Sequence, residues 1–458
     1  MDGKRDSPPE SDQTSPHYVI RGGRRLEGTI SVGGAKNAIG KQLVASLLTT
    51  EPCVFRNVPR IVEIDVILAM LSDVGTEFTW LDDETLRLHT PKIRTSEVGE
   101  KYSGFNRIPI LMLSPLLHRT GFASVPTVGG CRIGPRPVDF HINALETMGA
   151  SIELNSGGYR ASAKGLKGAA IRLPFPSVGA TENCIIAATL AKGTTIIENA
   201  AIEPEVVDTI LFLQKMGAQI AIDVNRRIVV EGVLSLSGTQ HAPITDRIEV
   251  ASFAAAAVAT NGRITVKNAR QDHMTSFLNS LRKVGGGFTV EPDGIVFFRS
   301  QENLRPIHLE TDVHPGFMTD WQQPFVVMLT QAEGMSVVHE TVYEKRFGYT
   351  GPLRDMGADI DLAKFCLGTQ PCRFSNQDHD HSCVIRGRTQ LHGVPIQIPD
   401  LRAGFAYIVA ALVAQGTTQV SGIEFVERGY ASVPEKLRAI NAQIDVERTE
   451  TTADRQVA

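Results

Sequence analysis

The sequence predicts an α/β protein of two domains, each built from three similar units. Six segments share one order of elements, in which an apolar helix leads into a strand and a second helix leads into further strands. The second helices end at intervals of roughly 70 residues, which is the signature of an internal repeat. Each of these ends carries Gly or Asn, the residues that close a helix in the left-handed conformation. The six ends are Gly75, Gly149, Gly217, Gly285, Gly357 and Asn441.

The first helix of each unit is apolar on almost every side, as in "FAAAAVA" (253–259) and "YIVAALVA" (407–414). A helix without a polar face must be buried, so we expect the strands to form the covering layer. A solenoid scaffold is the alternative for a repeated chain, but its units are usually about 20–45 residues long. Two globular domains of three units each therefore fit better.

Composition excludes several classes of protein. The 458 residues carry a formal net charge of −4, so no basic excess favours nucleic acid or an anionic membrane surface. The apolar stretches are far shorter than the roughly 20 residues of a membrane span. Residues 1–17 contain no apolar signal segment and, like 448–458, are expected to be tails. Six scattered cysteines do not form a disulfide framework, so we expect a reduced, cytoplasmic protein.

The starts of the buried helices carry polar and cationic residues. A helix start presents unpaired N–H groups that suit anions, and two facing domains would enclose an anion-binding cleft between such starts. The alternative is that Ser177, Asp246, Asp320 and Asp400 are simple helix caps. Cations oppose the helix dipole at this end, so the basic residues require a carboxylate or a bound anion beside them. These basic residues are Lys36, Arg107, Arg247 and Arg402.

The segment "GGAKNAIGKQ" (33–42) superficially resembles a phosphate-binding P-loop. Five residues separate Gly34 from Gly40, and Gln42 stands where Ser or Thr would bind magnesium. We therefore exclude a nucleotide hydrolase.

A lone thiol, Cys131, lies in the segment "VGGCRIGPRPVDFH" (128–141). Two glycines precede it, which gives the loop conformational freedom. Arg132 and Arg136 follow it, and nearby cations favour the reactive thiolate. A structural cysteine needs neither feature, so we expect a functional thiol.

These features resemble the enolpyruvyl transferases from about Val19 to Val446. The resemblance is carried by "GAKNA" (34–38), "GGCRIGPRPVDFHI" (129–142), "SVGATEN" (177–183), "NAAIEPEVVD" (199–208), "DRIE" (246–249), "HPGFMTDWQ" (314–322), "DLRA" (400–403) and "ERGY" (427–430). It implies two inside-out α/β barrel domains, each of three βαβαββ-type repeats, with an interdomain cleft and a two-stranded hinge. It also implies one domain formed by 36–244, which carries the cysteine loop, and another formed by 18–35 plus 245–447.

The resemblance implies enolpyruvyl transfer from phosphoenolpyruvate to a sugar hydroxyl through a tetrahedral adduct. Cys131 is implied as the acid that protonates C3, and as the residue that fosfomycin alkylates. Asp320 is implied as the base, with Lys36 and Arg428 also catalytic. The phosphoenolpyruvate-binding residues implied are Lys36, Asn37, Arg107, Arg136, Arg402 and Arg428. The uridine nucleotide-binding residues implied are Asn37, Arg136, Pro137, Asp139, Phe140, His141, Ser177, Val178, Gly179, Asp320, Val342 and Tyr343.

Two departures from the family pattern bear on the acceptor. Phe175 stands where the family usually has a lysine that touches the diphosphate. The segment 362–385 is longer than usual and contains three cysteines and "DHDHSC". Its spacing matches no zinc pattern, so we expect a solvated β-hairpin turn and no metal or organic cofactor.

Three hypotheses for function remain open at this point. The first is the peptidoglycan-precursor reaction at the 3′-hydroxyl of UDP-N-acetylglucosamine. The second is a related enzyme that uses another uridine nucleotide, such as UMP, in nucleoside natural-product synthesis. The third is a non-catalytic sugar-nucleotide binder, which Cys131, Asp320 and Arg428 argue against. Phosphoenolpyruvate and a uridine nucleotide are the expected partners, without nucleic acid or membrane.

Overall fold

The computed structural model describes residues 16–129, 137–368 and 372–448. The strands of the first half are β1 (Pro16–Arg21), β2 (Glu27–Ser31), β3 (Cys53–Phe55), β4 (Glu77–Trp80), β5 (Leu86–His89), β6 (Phe122–Val125), β7 (Ser151–Asn155), β8 (Gly158–Ser162), β9 (Ala170–Arg172), β10 (Thr194–Glu198), β11 (Gln219–Asp223) and β12 (Arg227–Glu231). The later strands are β13 (Gln240–His241), β14 (Arg263–Lys267), β15 (Gly286–Glu291), β16 (Gly294–Arg299), β17 (His308–Glu310), β18 (Gly334–His339), β19 (Asp359–Ala363), β20 (Ser382–Gly387), β21 (Ile396–Gln397), β22 (Thr417–Ser421) and β23 (Gln443–Arg448).

The helices alternate with these strands along the chain. They are α1 (Lys36–Ala45), α2 (Val62–Val74), α3 (Ile108–Thr120), α4 (Asp139–Thr147), α5 (Val178–Ala188), α6 (Pro204–Lys215), α7 (Arg247–Ala259), α8 (Thr275–Val284), α9 (Gln322–Leu329), α10 (Thr350–Asp355), α11 (Leu401–Val413), α12 (Glu424–Glu427) and α13 (Val433–Ala439). In the described part of the chain, no helix has the length and apolar character needed to cross a bilayer.

Two separate hydrophobic cores divide the molecule into lobes. The first lobe is centred on α1, α3 and α5, and its core residues lie between Ile39 and Leu236. The second lobe is centred on α7, α9 and α11, and its core takes residues from Tyr18 to Val32 as well as from Val250 to Ile444. Every residue of α7 is buried, as expected for a helix that is apolar all round. The domain boundaries themselves stay a prediction.

The strands form six open sheets of three or four strands outside these helices. The predicted mixed α/β fold is therefore confirmed, whereas the described strands close no hydrogen-bonded barrel. The glycines and the asparagine at the repeated helix ends have positive φ, from 66° at Asn441 to 119° at Gly75, so the helix ends predicted from the repeat are also confirmed.

Strand β1 lies between β22 and β23 in the second lobe, with Tyr18 opposite Val420 on one side and Val446 on the other. It begins at Pro16, which pairs with Arg448. The predicted tails were therefore too long at both ends, because pairing with a partner strand extends the ordered chain beyond its apolar residues.

The chain passes between the lobes twice, and the two passages lie side by side. Gly34 forms an antiparallel bridge with Thr245. Ala35 donates its N–H to the carbonyl of Ile244 at 2.7 Å, and the Asp246 N–H bonds to Gly33 at 3.0 Å. This short two-stranded connection leads directly into α1 of one lobe and α7 of the other.

Candidate active site

A cleft of about 530 Å³ separates the lobes, and the starts of the buried helices line it. The first residues of α1 and α7, Lys36 and Arg247, face this cleft. The residue before α3, Arg107, and the first turn of α5 also line it. Because several helix starts meet there, their N–H groups and the adjacent cations create an environment that suits an anion.

Glu63 joins two of the predicted phosphoenolpyruvate-binding cations from opposite lobes. Its carboxylate lies 3.6 Å from Lys36 Nζ and accepts a hydrogen bond from Arg428 at 3.1 Å. Arg428 also donates to the carbonyl of Phe105 at 2.8 Å and lies over its ring. All three charged side chains are at least four-fifths buried. This carboxylate therefore offsets one of the two positive charges and holds Arg428 against the first lobe.

The predicted uridine loop continues into α4 beside Arg107. Arg107 donates to the carbonyl of Pro137 at 3.2 Å, and Pro137, Asp139, Phe140 and His141 line the cleft. His141 is 4% exposed, and burial, together with the charge of Arg107, lowers the pKa of its imidazole to about 3. This ring is thus neutral and packs as a wall of the pocket.

The first turn of α5 faces the cleft through Ser177, Val178 and Gly179. Ser177 caps the helix, since its hydroxyl accepts the Ala180 N–H at 3.4 Å. A Cβ at Gly179 would lie 3.4 Å from the His141 ring, an ordinary van der Waals distance, so this wall and the helix start lie next to each other.

A cation occupies the position beside Phe175, where the family lysine is missing. The guanidinium carbon of Arg373 lies 4.8 Å from the centre of the Phe175 ring. Arg373 also bonds to the carbonyl of Val342 and to Glu344, and it lines the cleft. The long segment 362–385 therefore supplies positive charge close to the start of α5.

Asp320 lies in the 3₁₀ turn Thr319–Trp321 before α9, so it is not the cap of that helix. It forms an ion pair with Arg346, whose side chain is 1% exposed. The buried carboxylate of Glu340 accepts the Thr319 hydroxyl at 2.9 Å, and it also accepts the backbone N–H groups of Val342 and Tyr343. Glu340 thus fixes the turn that carries Asp320 against the loop that lines the same pocket.

Arg247, which lines the cleft, also forms an ion pair that joins the two lobes. Arg247 makes two hydrogen bonds to Glu205, at 2.9 and 3.0 Å, and both side chains are almost fully buried. Glu203 lies beside them with its pKa raised by burial, and Asp246 caps α7 through two N–H bonds. Arg247 has its carboxylate partner here, which explains a cation at a helix start.

The structure brings most of the predicted site residues to this cleft. Cys131 and Arg136 lie outside the described residues, between Gly129 and Pro137, and the side chain of Arg402 is likewise not described. The predicted residues that line the cleft are Lys36, Asn37, Arg107, Pro137, Asp139, Phe140, His141, Ser177, Val178, Gly179, Asp320, Val342, Tyr343 and Arg428. Glu63 and Arg373 were not predicted, because the contacts that bring them here join distant parts of the chain.

A model of the EPSP synthase (3-phosphoshikimate 1-carboxyvinyltransferase) family matches residues 20–437. Solved structures of this fold include the enolpyruvyl transferase NikO from Streptomyces tendae, with a TM-score of 0.83, 22% identity and coverage of 95% of this chain and 99% of that one. EPSP synthase from Acinetobacter baumannii superposes with a TM-score of 0.71 at 17% identity, covering 95% and 100%. The chain belongs to the EPSP synthase family and is a transferase, which confirms the resemblance.

The names of curated relatives identify a more specific group within the family. The chain is 52% identical to UDP-N-acetylglucosamine 1-carboxyvinyltransferase of Protochlamydia amoebophila, with 93% of each chain covered. It is 47% identical to the protein of that name from Chlamydia pneumoniae, with 93% of this chain and 95% of the relative covered. Within the family, the chain groups with these 1-carboxyvinyltransferases.

Proposed function

We propose that the protein transfers the enolpyruvyl group of phosphoenolpyruvate to the 3′-hydroxyl of UDP-N-acetylglucosamine and releases phosphate. One observation carries the proposal: a cation cluster and a positioned carboxylate, Asp320, face the same interlobe cleft. The substrate is a small molecule with one phosphate and one carboxylate, which matches a site rich in Lys and Arg. The product would be a peptidoglycan precursor, made in the cytoplasm.

Lys36, Arg107 and Arg428 supply the charge for the phosphoenolpyruvate anion. Glu63 pairs with both Lys36 and Arg428 and offsets part of their charge. When the substrate anion enters, its oxygens share these cations with Glu63. Cations fixed in advance stabilise the charge that develops during addition, because they need no reorganisation in the transition state.

Asp320 accepts the proton of the sugar hydroxyl, and the hydroxyl oxygen then forms a bond to C2 of the enol ester. The buried Arg346 and the turn fixed by Glu340 hold this base in one orientation. Cys131, which lies between Gly129 and Pro137 in the sequence, delivers a proton to C3 in the same addition. The Cys131 thiolate then takes a C3 proton as the C2–O bond to phosphate breaks, which gives the enol ether and inorganic phosphate.

The nucleotide is assigned to the opposite wall of the cleft. Pro137, Asp139, Phe140 and His141 surround the uracil and ribose, and the N–H groups of the α5 start bind the diphosphate. Arg373 provides the cation beside that turn, in the position that Phe175 leaves uncharged. A diphosphate acceptor is therefore compatible with this chain despite the missing lysine.

A comparison of two acceptors tests the function. Phosphate release from phosphoenolpyruvate is measured with UDP-N-acetylglucosamine and, separately, with UMP, and the nucleotide product is identified by mass spectrometry. We expect release only with the sugar nucleotide, which gains one enolpyruvyl group. Phosphate release with UMP alone would contradict the assignment of UDP-N-acetylglucosamine as the acceptor. Release with neither nucleotide would contradict the proposed transferase activity.

A further inference from the structure

The connection between the antiparallel strands β19 and β20 is described at residues 364–368 and 372–381, and β20 also pairs with β18. This connection brings Cys366, Cys372 and His381 together with His339, the last residue of β18. One ligand atom from each of these four side chains lies within 4.8 Å of the other three. Part of this connection is therefore buried, which differs from the solvated turn expected from the sequence.

Two distances within this cluster match those of a tetrahedral metal site. The two sulfur atoms are 3.7 Å apart, and Cys366 Sγ is 3.5 Å from His381 Nε2. A tetrahedral zinc ion, with Zn–S bonds of about 2.3 Å and Zn–N bonds of about 2.0 Å, places two sulfurs about 3.8 Å apart and a sulfur and a nitrogen about 3.5 Å apart. A disulfide needs a sulfur separation of about 2.05 Å, so the two cysteines are thiols.

The neighbours of the two histidines orient their rings for coordination. His381 Nδ1 lies 2.8 Å from the carbonyl of His379, so Nδ1 carries the proton and Nε2 turns its lone pair towards Cys366. His339 Nδ1 lies 3.3 Å from the carboxylate of Glu310. Carbonyl and carboxylate partners on the distal nitrogen are typical of metal-bound histidines.

The buried imidazole ring of His339 also lacks hydrogen-bond partners in the described part of the chain. Its side chain is 1% exposed; Nδ1 has only the 3.3 Å ion-pair contact with Glu310, and Nε2 has no hydrogen-bond partner among the described residues. A buried polar atom without a partner costs roughly 1–3 kcal/mol, and a metal ion bound to Nε2 would remove that cost. A Cβ at position 368 would collide with Nδ1 of the same ring, so Gly368 permits the loop to close on it.

We propose that Cys366, Cys372, His381 and His339 bind one Zn²⁺ ion in a structural site. Two thiolates and two neutral imidazoles form a closed tetrahedral set of the kind that zinc prefers. Binding releases the two thiol protons to solvent. The backbone N–H of Phe374 already points to Cys372 Sγ at 3.3 Å, and such a bond stabilises the thiolate.

A zinc ion at this position would also fix a residue that lines the cleft. Cys372 directly precedes Arg373, which lines the cleft beside Phe175. A metal bond to Cys372 would hold this arginine in place, so removal of zinc should weaken nucleotide binding. This last consequence depends on the proposed function, whereas the metal content does not.

The test begins with the full-length protein, purified without a chelator or a histidine tag from medium that contains zinc. Inductively coupled plasma mass spectrometry should find one zinc per chain. Replacement by Co²⁺ should give the intense visible and near-ultraviolet bands of tetrahedral cobalt with thiolate ligands. A chromophoric chelator then titrates the metal of the unaltered protein, which gives an affinity that no substitution can disturb.

Variants identify the ligands. Cys366→Ser and Cys372→Ser should lose the metal, and Glu310→Gln should lower zinc affinity by about 10- to 100-fold. The matched control is His379→Ala, which removes an imidazole from the same connection but not from the cluster, and it should keep one zinc. The proposal is wrong if the unaltered protein binds neither Zn²⁺ nor Co²⁺, if thiol counting shows a Cys366–Cys372 disulfide, or if the cysteine variants retain the metal.

Discussion

Substitution of Glu63 by Gln tests the arrangement of charges in the cleft. The carboxylate lies 3.1 Å from Arg428 and 3.6 Å from Lys36. With an effective dielectric constant of about 20, each contact corresponds to roughly 5 kcal/mol of attraction before desolvation is subtracted. Removal of one partner from a buried pair usually costs about 3–5 kcal/mol. We expect the lower end here, about 3 kcal/mol, because the cleft is open to water.

The assay is thermal unfolding without phosphate or other polyvalent anions. A loss of about 3 kcal/mol lowers Tm by roughly 6–12 °C for a lobe of this size. Phosphoenolpyruvate or inorganic phosphate should then stabilise Glu63→Gln more than the unaltered protein, because the added anion replaces the lost carboxylate. The control is Glu77→Gln, which breaks an exposed pair with Arg94 at 4.0 Å and should change stability by less than about 1 kcal/mol.

Two results would refute this reasoning. If Glu63→Gln melts at the temperature of the control, the carboxylate does not offset the charge of the two cations in the folded protein. If phosphate stabilises both proteins equally, Lys36 and Arg428 do not form the anion site.

Three further predictions concern the two walls of the cleft. Asp320→Asn should lower kcat by roughly 10²- to 10⁴-fold in phosphate-release kinetics, because it removes the base. Arg373→Gln should raise KM for UDP-N-acetylglucosamine about 10-fold, as expected for the loss of a charged hydrogen bond of about 1.5 kcal/mol. Burial and Arg107 lower the pKa of His141 to about 3, so the unfolded chain gains a proton below pH 6.5 while the folded protein does not. Stability should fall with pH below 6.5, by up to about 1.4 kcal/mol per unit, and His141→Asn should show less of this loss in urea unfolding.

Each of these predictions has its own check. Arg386→Gln removes a surface arginine that pairs with Asp359 and Asp361, and it should leave KM unchanged. An equal rise in KM for this variant would mean that general charge, and not Arg373, affects binding. Full turnover in Asp320→Asn, or an unchanged pH slope in His141→Asn, would contradict the corresponding assignment.

The repeat could be predicted from the sequence because its signals are local. Each helix end carries its own Gly or Asn, and each central helix shows its burial through an unbroken apolar pattern. The sheet partners could not be predicted in the same way. Strand β13 pairs with β3, and β14 pairs with β2, although long stretches of chain separate them. No nearby residue records which distant strand completes a sheet.

The functional site also combines residues that local motifs predict with residues that only distant contacts bring together. Residues such as Lys36 and Ser177 lie in local motifs at helix starts, and their positions in the cleft follow from the fold. Glu63 looks like an ordinary first-turn acid of α2, and its bond to Arg428 spans 365 residues. His339 lies outside the cysteine-containing segment, so the spacing of that segment alone could not indicate four metal ligands.

The placement of β1 between β22 and β23 affects how the chain is made on the ribosome. Strand β1 leaves the ribosome about 400 residues before its partners, an interval on the order of 20–80 s at usual translation rates. During this time the first lobe can complete its core, since its core residues all lie between positions 39 and 236. The second lobe can complete the sheet that contains β1 only after β22 and β23 have been synthesised, so β1 must avoid aggregation until then.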